Sequence, residues 1–134
     1  MNDVDRLSMN ASLEPYIRAA FGRKAEDIVA LYVQELTSIA DVFVICSGRS
    51  SRQVSAIAEY IELELKRHDI RPLSVEGKKE GQWALLDYGH VIIHVFYEPV
   101  RQLYDLEGLW IDAKKLDISG MAQSDEDGKA DQSL

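Results

Sequence analysis

The sequence predicts an α/β fold: one compact domain, a mixed sheet with flanking helices. Three observations carry this. An apolar run, Val42 to Cys46, ends at Ser47-Gly48 and leads directly into a segment with helical spacing, which is half of a strand–helix crossover unit. A second segment, Trp83 to Phe96, alternates around a central Tyr88-Gly89 as a hairpin does. Helical and strand periodicities also alternate along the chain rather than segregating into blocks.

Taken in order, the first helix is expected at Ser12, a capping residue, with Leu13, Ile17, Ala20 and Phe21 on one face and Gly22 as its stop. The β-rich IVALYVQEL, Ile28 to Leu36, reads as a strand, apolar on both faces early and polar later. The continuous Val42–Cys46 run reads as an interior strand covered on both sides. Next, Ser50 and Gln53 have capping-box spacing, and Val54, Ile57, Ala58, Ile61 and Leu65 form one apolar stripe. A short strand, Leu73 to Val75, completes the crossover.

In the hairpin, a Tyr88-Gly89 turn pairs Asp87 with His90, Leu85 with Ile92 and Trp83 with His94. One face then carries Ala84, Leu86, Val91, Ile93 and Val95, small and aliphatic as a core requires. The other carries Trp83, Leu85, Asp87, His90, Ile92 and His94, polar groups that a buried layer would have to satisfy one by one. The pattern alone leaves open whether that mixed face is a binding surface or a wall under another helix. After it, Pro99 is expected to open a short helix with Val100, Leu103 and Tyr104 inward and Gly108 as its stop. Leu109 and Trp110 are expected to pack back onto the domain. The domain is expected over residues 11–113, between a flexible segment 1–10 and an acidic, disordered tail 114–134.

Composition limits function. The chain has 134 residues and a formal net charge of −8, with 46% hydrophobic and 28% charged residues, as in an ordinary globular protein. A protein that grips nucleic-acid phosphates needs a basic stripe, so direct nucleic-acid readout is not expected, and a basic protein partner suits the charge better. No apolar run reaches the length of a membrane span. The start, MNDVDRLSMN, resembles neither a secretory signal nor a transit peptide, which makes the cytoplasm the expected location.

Catalytic constellations are weak. His90 and His94 lie ~13 Å apart at strand rise, too far to share a metal. Cys46, the single cysteine, lies mid-strand and reads as a core thiol. Gly48-Arg49-Ser50-Ser51 is a candidate anion cradle, but the P-loop spacing is absent. Nucleotidyl transfer needs paired carboxylates for metal ions, and the next strand offers only Glu76; Asp87 with His90 reads as a cross-strand ion pair.

Four stretches carry a resemblance: TSIADVFVICSGRSSRQVSAIA (Thr37 to Ala58), VEG (Val75 to Gly77), WALLDYGHVIIHVF (Trp83 to Phe96) and YDLEGLW (Tyr104 to Trp110). Together, over Ala25 to Ala113, they are very similar to the ribosomal silencing factor (Iojap) family. The resemblance implies a nucleotidyltransferase-like fold without catalytic carboxylates. It implies a translational repressor that binds a basic large-subunit ribosomal protein, number fourteen, and sterically hinders joining of the small subunit. Such a device needs no cofactor, metal or turnover, and the family often self-associates. Position by position, the family's hairpin aromatic and acid match Trp83 and Asp87, and its turn matches Tyr88-Gly89. Its strand histidine matches His94, its helix-start motif Ser50, Ser51, Arg52 and Gln53, and its VEG acid Glu76. Where the family usually has an acid after the turn glycine, this chain has His90. The expected contact patch is Trp83, Asp87, Tyr88 and His90, with Glu76 and Glu98 at its margin. The alternative is a degenerate, nucleotidyltransferase-like nucleotide-binding protein.

Overall fold

The computed structural model describes residues 3–121, with side chains from residue 12 onward. Helix α1 (Asp3–Phe21) precedes β1 (Glu26–Tyr32), β2 (Val42–Gly48), α2 (Ser51–Arg67), β3 (Ser74–Glu76), β4 (Trp83–Asp87) and β5 (Val91–Tyr97). Two short helices, α3 (Glu98–Tyr104) and α4 (Leu106–Leu109), and a two-residue strand, β6 (Lys114–Lys115), close the chain. The six strands form one mixed sheet in the order β3-β4-β5-β2-β1-β6.

β2 lies at the centre because its sequence has nothing polar to expose: every residue is buried between parallel β5 and antiparallel β1. Its alternate side chains divide the interior. Val42, Val44 and Cys46 join Ala84, Leu86, Val91, Ile93 and Val95 under α1 and α2. Phe43 and Ile45 join Ile92 and Phe96 on the opposite face, where Val100, Leu106 and Trp110 pack from the C-terminal side. α2 presents the expected stripe: Val54, Ile57, Ala58, Ile61 and Leu65 are its buried residues. Its cap differs slightly from a capping box. Ser50 accepts the Gln53 N–H, but Gln53 Oε1 accepts from Arg49 N at 2.6 Å rather than from Ser50 N.

Several expectations need correction. α1 starts upstream of Ser12, which lies inside the helix and does not cap it. β1 runs from Glu26 to Tyr32, starting two residues before IVALYVQEL and ending four before it. β3 does run in the direction of β2, but two strands separate them, and the hairpin β4–β5 fills the space between. The hairpin register is shifted by two: Asp87 faces Ile92, Leu85 faces His94 and Trp83 faces Phe96. The turn is therefore Gly89-His90, closed by Tyr88 N donating to Val91 O at 2.9 Å. Gly89 has φ +91 at the first central position, where a type II′ turn calls for glycine. A shift of two preserves the side-chain alternation, so the two faces stand as expected except at His90, which becomes a turn residue and meets Tyr16 of α1.

β6 pairs with β1 just past the expected domain end at residue 113, and Leu116, Ile118 and Met121 pack onto the helix-side core. From residue 122 on, the acidic tail lies outside the described residues, as do the side chains of segment 1–10. No described helix is long and apolar enough to cross a membrane.

The turn that feeds β4 depends on Gly77, which has φ +75 and presses its Cα against the Trp83 carbonyl, where a Cβ would collide with the oxygen. Gly77→Ala is expected to cost about 2–4 kcal/mol through strain and displaced backbone. Urea denaturation would show it as a lowered midpoint, with Gly120→Ala, whose Cβ meets nothing within 4 Å, as the near-neutral control.

Candidate partner-binding surface

The mixed hairpin face is organised around one hydrogen bond. Trp83 Nε1 donates to His94 Nδ1 at 3.1 Å. An indole N–H can only donate, so Nδ1 must be unprotonated and the neutral ring carries its proton on Nε2. That Nε2 is buried and has no hydrogen-bond partner. Phe43 stands edge-on to the imidazole at 5.1 Å, and burial pushes the histidine pKa down to about 4. Trp83 also stacks on Phe96 at 4.7 Å and meets Tyr104 at 5.1 Å. The indole is thus fixed along one edge and only partly covered.

Leu103, Tyr104 and Leu109, expected to pack inward, are exposed instead, and Ile111 is exposed as well. Leu103 and Tyr104 of α3 are 78% and 55% exposed, and Leu109 and Ile111 are 74% and 77% exposed. Trp110 does pack back, edge-on to Phe43 at 5.2 Å. The inward residue of α3 is Arg101: its guanidinium donates to Ser47 Oγ at 2.7 Å and to Glu107 Oε1 at 2.9 Å. A buried cation satisfied this way fixes the helix rotation and turns Leu103, two positions on, outward, while Tyr104 stays on the flank where it meets Trp83. α3 ends at Asp105, which adopts φ +48 and then caps α4 by accepting from Gly108 N; Gly108 is not the stop.

The expected contact residues separate. Trp83 and Asp87 share the mixed face, but no Asp87–His90 pair is present among the described contacts. Asp87 Oδ1 instead accepts from Gly89 N at 2.8 Å, bracing the turn. Tyr88 lies on the other face, buried against Tyr16 at 5.4 Å, so it supports the turn from beneath and presents no contact surface. His90 is exposed, but its ring lies on Tyr16 at 5.5 Å, toward α1 and away from Trp83. Glu76 is exposed opposite Leu85 on edge strand β3. Glu98 is half-buried, and hydrogen bonds from Ser47 and then Gln102 hold its carboxyl below the usual range. Nothing local to α3 signals the exposed ridge, because the partner that draws Arg101 inward, Ser47, is 54 positions away.

Catalytic equipment is sparse. Among the described residues no three His, Cys, Asp or Glu side chains group as metal ligands would. Burial pushes the Cys46 thiol up to about 12, which keeps it protonated and unreactive.

The family model described as ribosomal silencing factor during starvation matches residues 7–133. The chain belongs to the ribosomal silencing factor family. The ribosomal silencing factor of Halalkalibacterium halodurans is 36% identical over 86% of this chain and 98% of that one. A more distant relative, the mitochondrial assembly of ribosomal large subunit protein 1 of Mus musculus, is 28% identical over 80% of this chain and 48% of its own. A crystal structure of a Chromobacterium violaceum protein superposes with a TM-score of 0.70 at 35% identity, covering 77% of this chain and 84% of that one. Membership ties the chain to translation regulation and the ribosome, and the fold is the family's mixed α/β domain.

The buried histidine makes an acid-sensitive contribution to stability. Its pKa is depressed on folding, so that stability is fully present above the unfolded value near 6.5 and falls as pH drops toward about 4. The difference corresponds to about 3 kcal/mol. Stability measured against pH in wild type and His94→Phe should show this slope in the wild type alone.

Proposed function

We propose that this protein represses translation without catalysis, by docking on a basic protein of the large ribosomal subunit, number fourteen, and occupying the surface where the small subunit would join. The observation that carries the reading is the partly covered Trp83 indole in contact with half-exposed Tyr104 at 5.1 Å, with the exposed Leu103 and Leu109 on the same two short helices. Large aromatics held rigid in a partly exposed patch are what interface anchors consist of, because little side-chain entropy is lost on binding. Asp87 and Glu76 lie on the neighbouring strands β4 and β3, and Asp105 and Asp112 flank α4 in the chain, which favours a cationic partner. The contact patch is thus Trp83 and Asp87 with Leu103, Tyr104 and Leu109, and Glu76 at the rim. His90, turned toward α1, lies outside it; Tyr88 and Glu98 act as supports.

Steric occlusion follows from occupancy alone. A complex tight enough to persist removes the landing surface, and no cofactor or turnover is required. The family names support the ribosomal setting, and that of the mouse relative supports the large subunit in particular. A cytoplasmic site of action accords with this reading.

Sucrose-gradient sedimentation with separated subunits tests it. The wild type is expected to travel with the large subunit alone and to deplete joined ribosomes. Trp83→Ala/Tyr104→Ala should bind at least ~30-fold more weakly, as loss of an interface anchor worth 2 kcal/mol or more requires. Wild-type protein that stays at the top of the gradient, or a double variant that sediments normally, contradicts the proposal.

A further inference from the structure

Apart from the Trp83 surface, the chain carries a second feature that the docking role does not use. The turn between α1 and β1 and the first turn of α2 enclose an open cleft of about 490 Å³, lined by Gly22, Arg23, Lys24, Ser50, Arg52 and Gln53 together with Ala56. Three of these are cations, on a chain whose net charge is −8. All three are exposed, and none has an acidic partner among the described ion pairs. The acids that would neutralise them are engaged elsewhere. Glu26, two residues after Lys24, is held by Arg49 at 2.7 Å. On α2, Glu59 and Glu62 both go to Lys78, at 2.7 and 2.8 Å. Asp27 is the remaining acid in the stretch after the cleft turn and leaves the local balance positive. Lys24 is held in place by its backbone, at φ +60, a conformation that costs a non-glycine residue energy.

We propose that this cleft binds a compact anion with two or three phosphates in a row, such as the triphosphate tail of a nucleotide. A terminal phosphate carries about −1.5 to −2 charges near neutral pH, so a run of phosphates matches three cations where a single one would not. The cleft volume falls within the range of small-molecule sites. The field is that of the side chains. The first turn of α2 is largely closed on itself, since Ser50 Oγ takes the Gln53 N–H and Gln53 Oε1 takes the Arg49 N–H. A compact anion is favoured over an RNA backbone by range. Charges farther off than about 8 Å are screened at physiological ionic strength, so a small ligand feels mainly the cleft. An extended polymer runs on over the chain's excess acids.

Isothermal titration of the full chain with inorganic triphosphate, in metal-free buffer, tests this. One-to-one binding is expected, weakened roughly tenfold or more in Arg23→Ser/Arg52→Ser. It should be unchanged in Arg67→Ser/Arg71→Ser, which removes the same charge elsewhere. No saturable binding up to millimolar triphosphate overturns the proposal, as does equal weakening in both variants, which would reduce it to net charge. An RNA oligonucleotide that binds through Arg23 and Arg52 while free triphosphate does not would also overturn it. Large-subunit binding by the cleft variant is a separate measurement, so failure here leaves the docking reading standing.

Discussion

The hydrogen bond from the Trp83 indole to the buried imidazole of His94 is the contact on which the proposed surface depends. A tryptophan on a sheet face is ordinarily either drawn fully into the core or left free to rotate. Here the acceptor is fixed in strand β5, the ring stacks on Phe96, and the indole is held in one orientation with one side uncovered. The arrangement works only while His94 is neutral, because a protonated Nδ1 would repel the donor. Burial ensures neutrality and carries a cost, the unsatisfied Nε2 beside Phe43. A buried polar atom without a partner, next to the most exposed aromatic of the hairpin, is the kind of local imperfection that a purely structural face would not need.

The second constraint is the rotation of α3. Arg101 enters the domain to reach Ser47 at the end of the central strand, and Glu107 completes its pairing. Leu103, two positions on, falls on the opposite side of the helix and lies in solvent, while Tyr104, about 60° round from Arg101, meets the Trp83 ring with half its surface exposed. Hairpin and helix meet at the Trp83–Tyr104 contact, although they are set in place by different interactions: a neutral hydrogen bond in one case and a buried cation in the other. Acids on the neighbouring strands and beside α4 suit this surface to a basic protein, while the cations of the α1–β1 turn lie at the start of α2.

Much of this was legible in the sequence, for physical reasons that differ by element. β2 read correctly as a central strand because five consecutive apolar residues tolerate no solvent face. The hairpin's faces survived a misplaced turn because an error of two residues keeps the period-2 alternation intact; the register did not, since Tyr88-Gly89 and Gly89-His90 are both acceptable turns until the φ of Gly89 decides. The burial of Tyr88 was available from the same alternation, which places it with Ala84 and Leu86. The rotation of α3 was not available. Arginine is normally a surface residue, and nothing local announces a partner 54 residues upstream. The orientation of Trp83 was half legible: the expected register already set it opposite His94, whereas the observed one sets it opposite Phe96, and the indole reaches His94 diagonally.

The most direct test of the central claim is hydrogen–deuterium exchange of the full chain with and without isolated large ribosomal subunits. The account predicts slowed exchange at the start of β4 and across residues 98–111, with α2 unchanged. Protection confined to α1 and α2, or none at all in a complex shown to have formed, would contradict it.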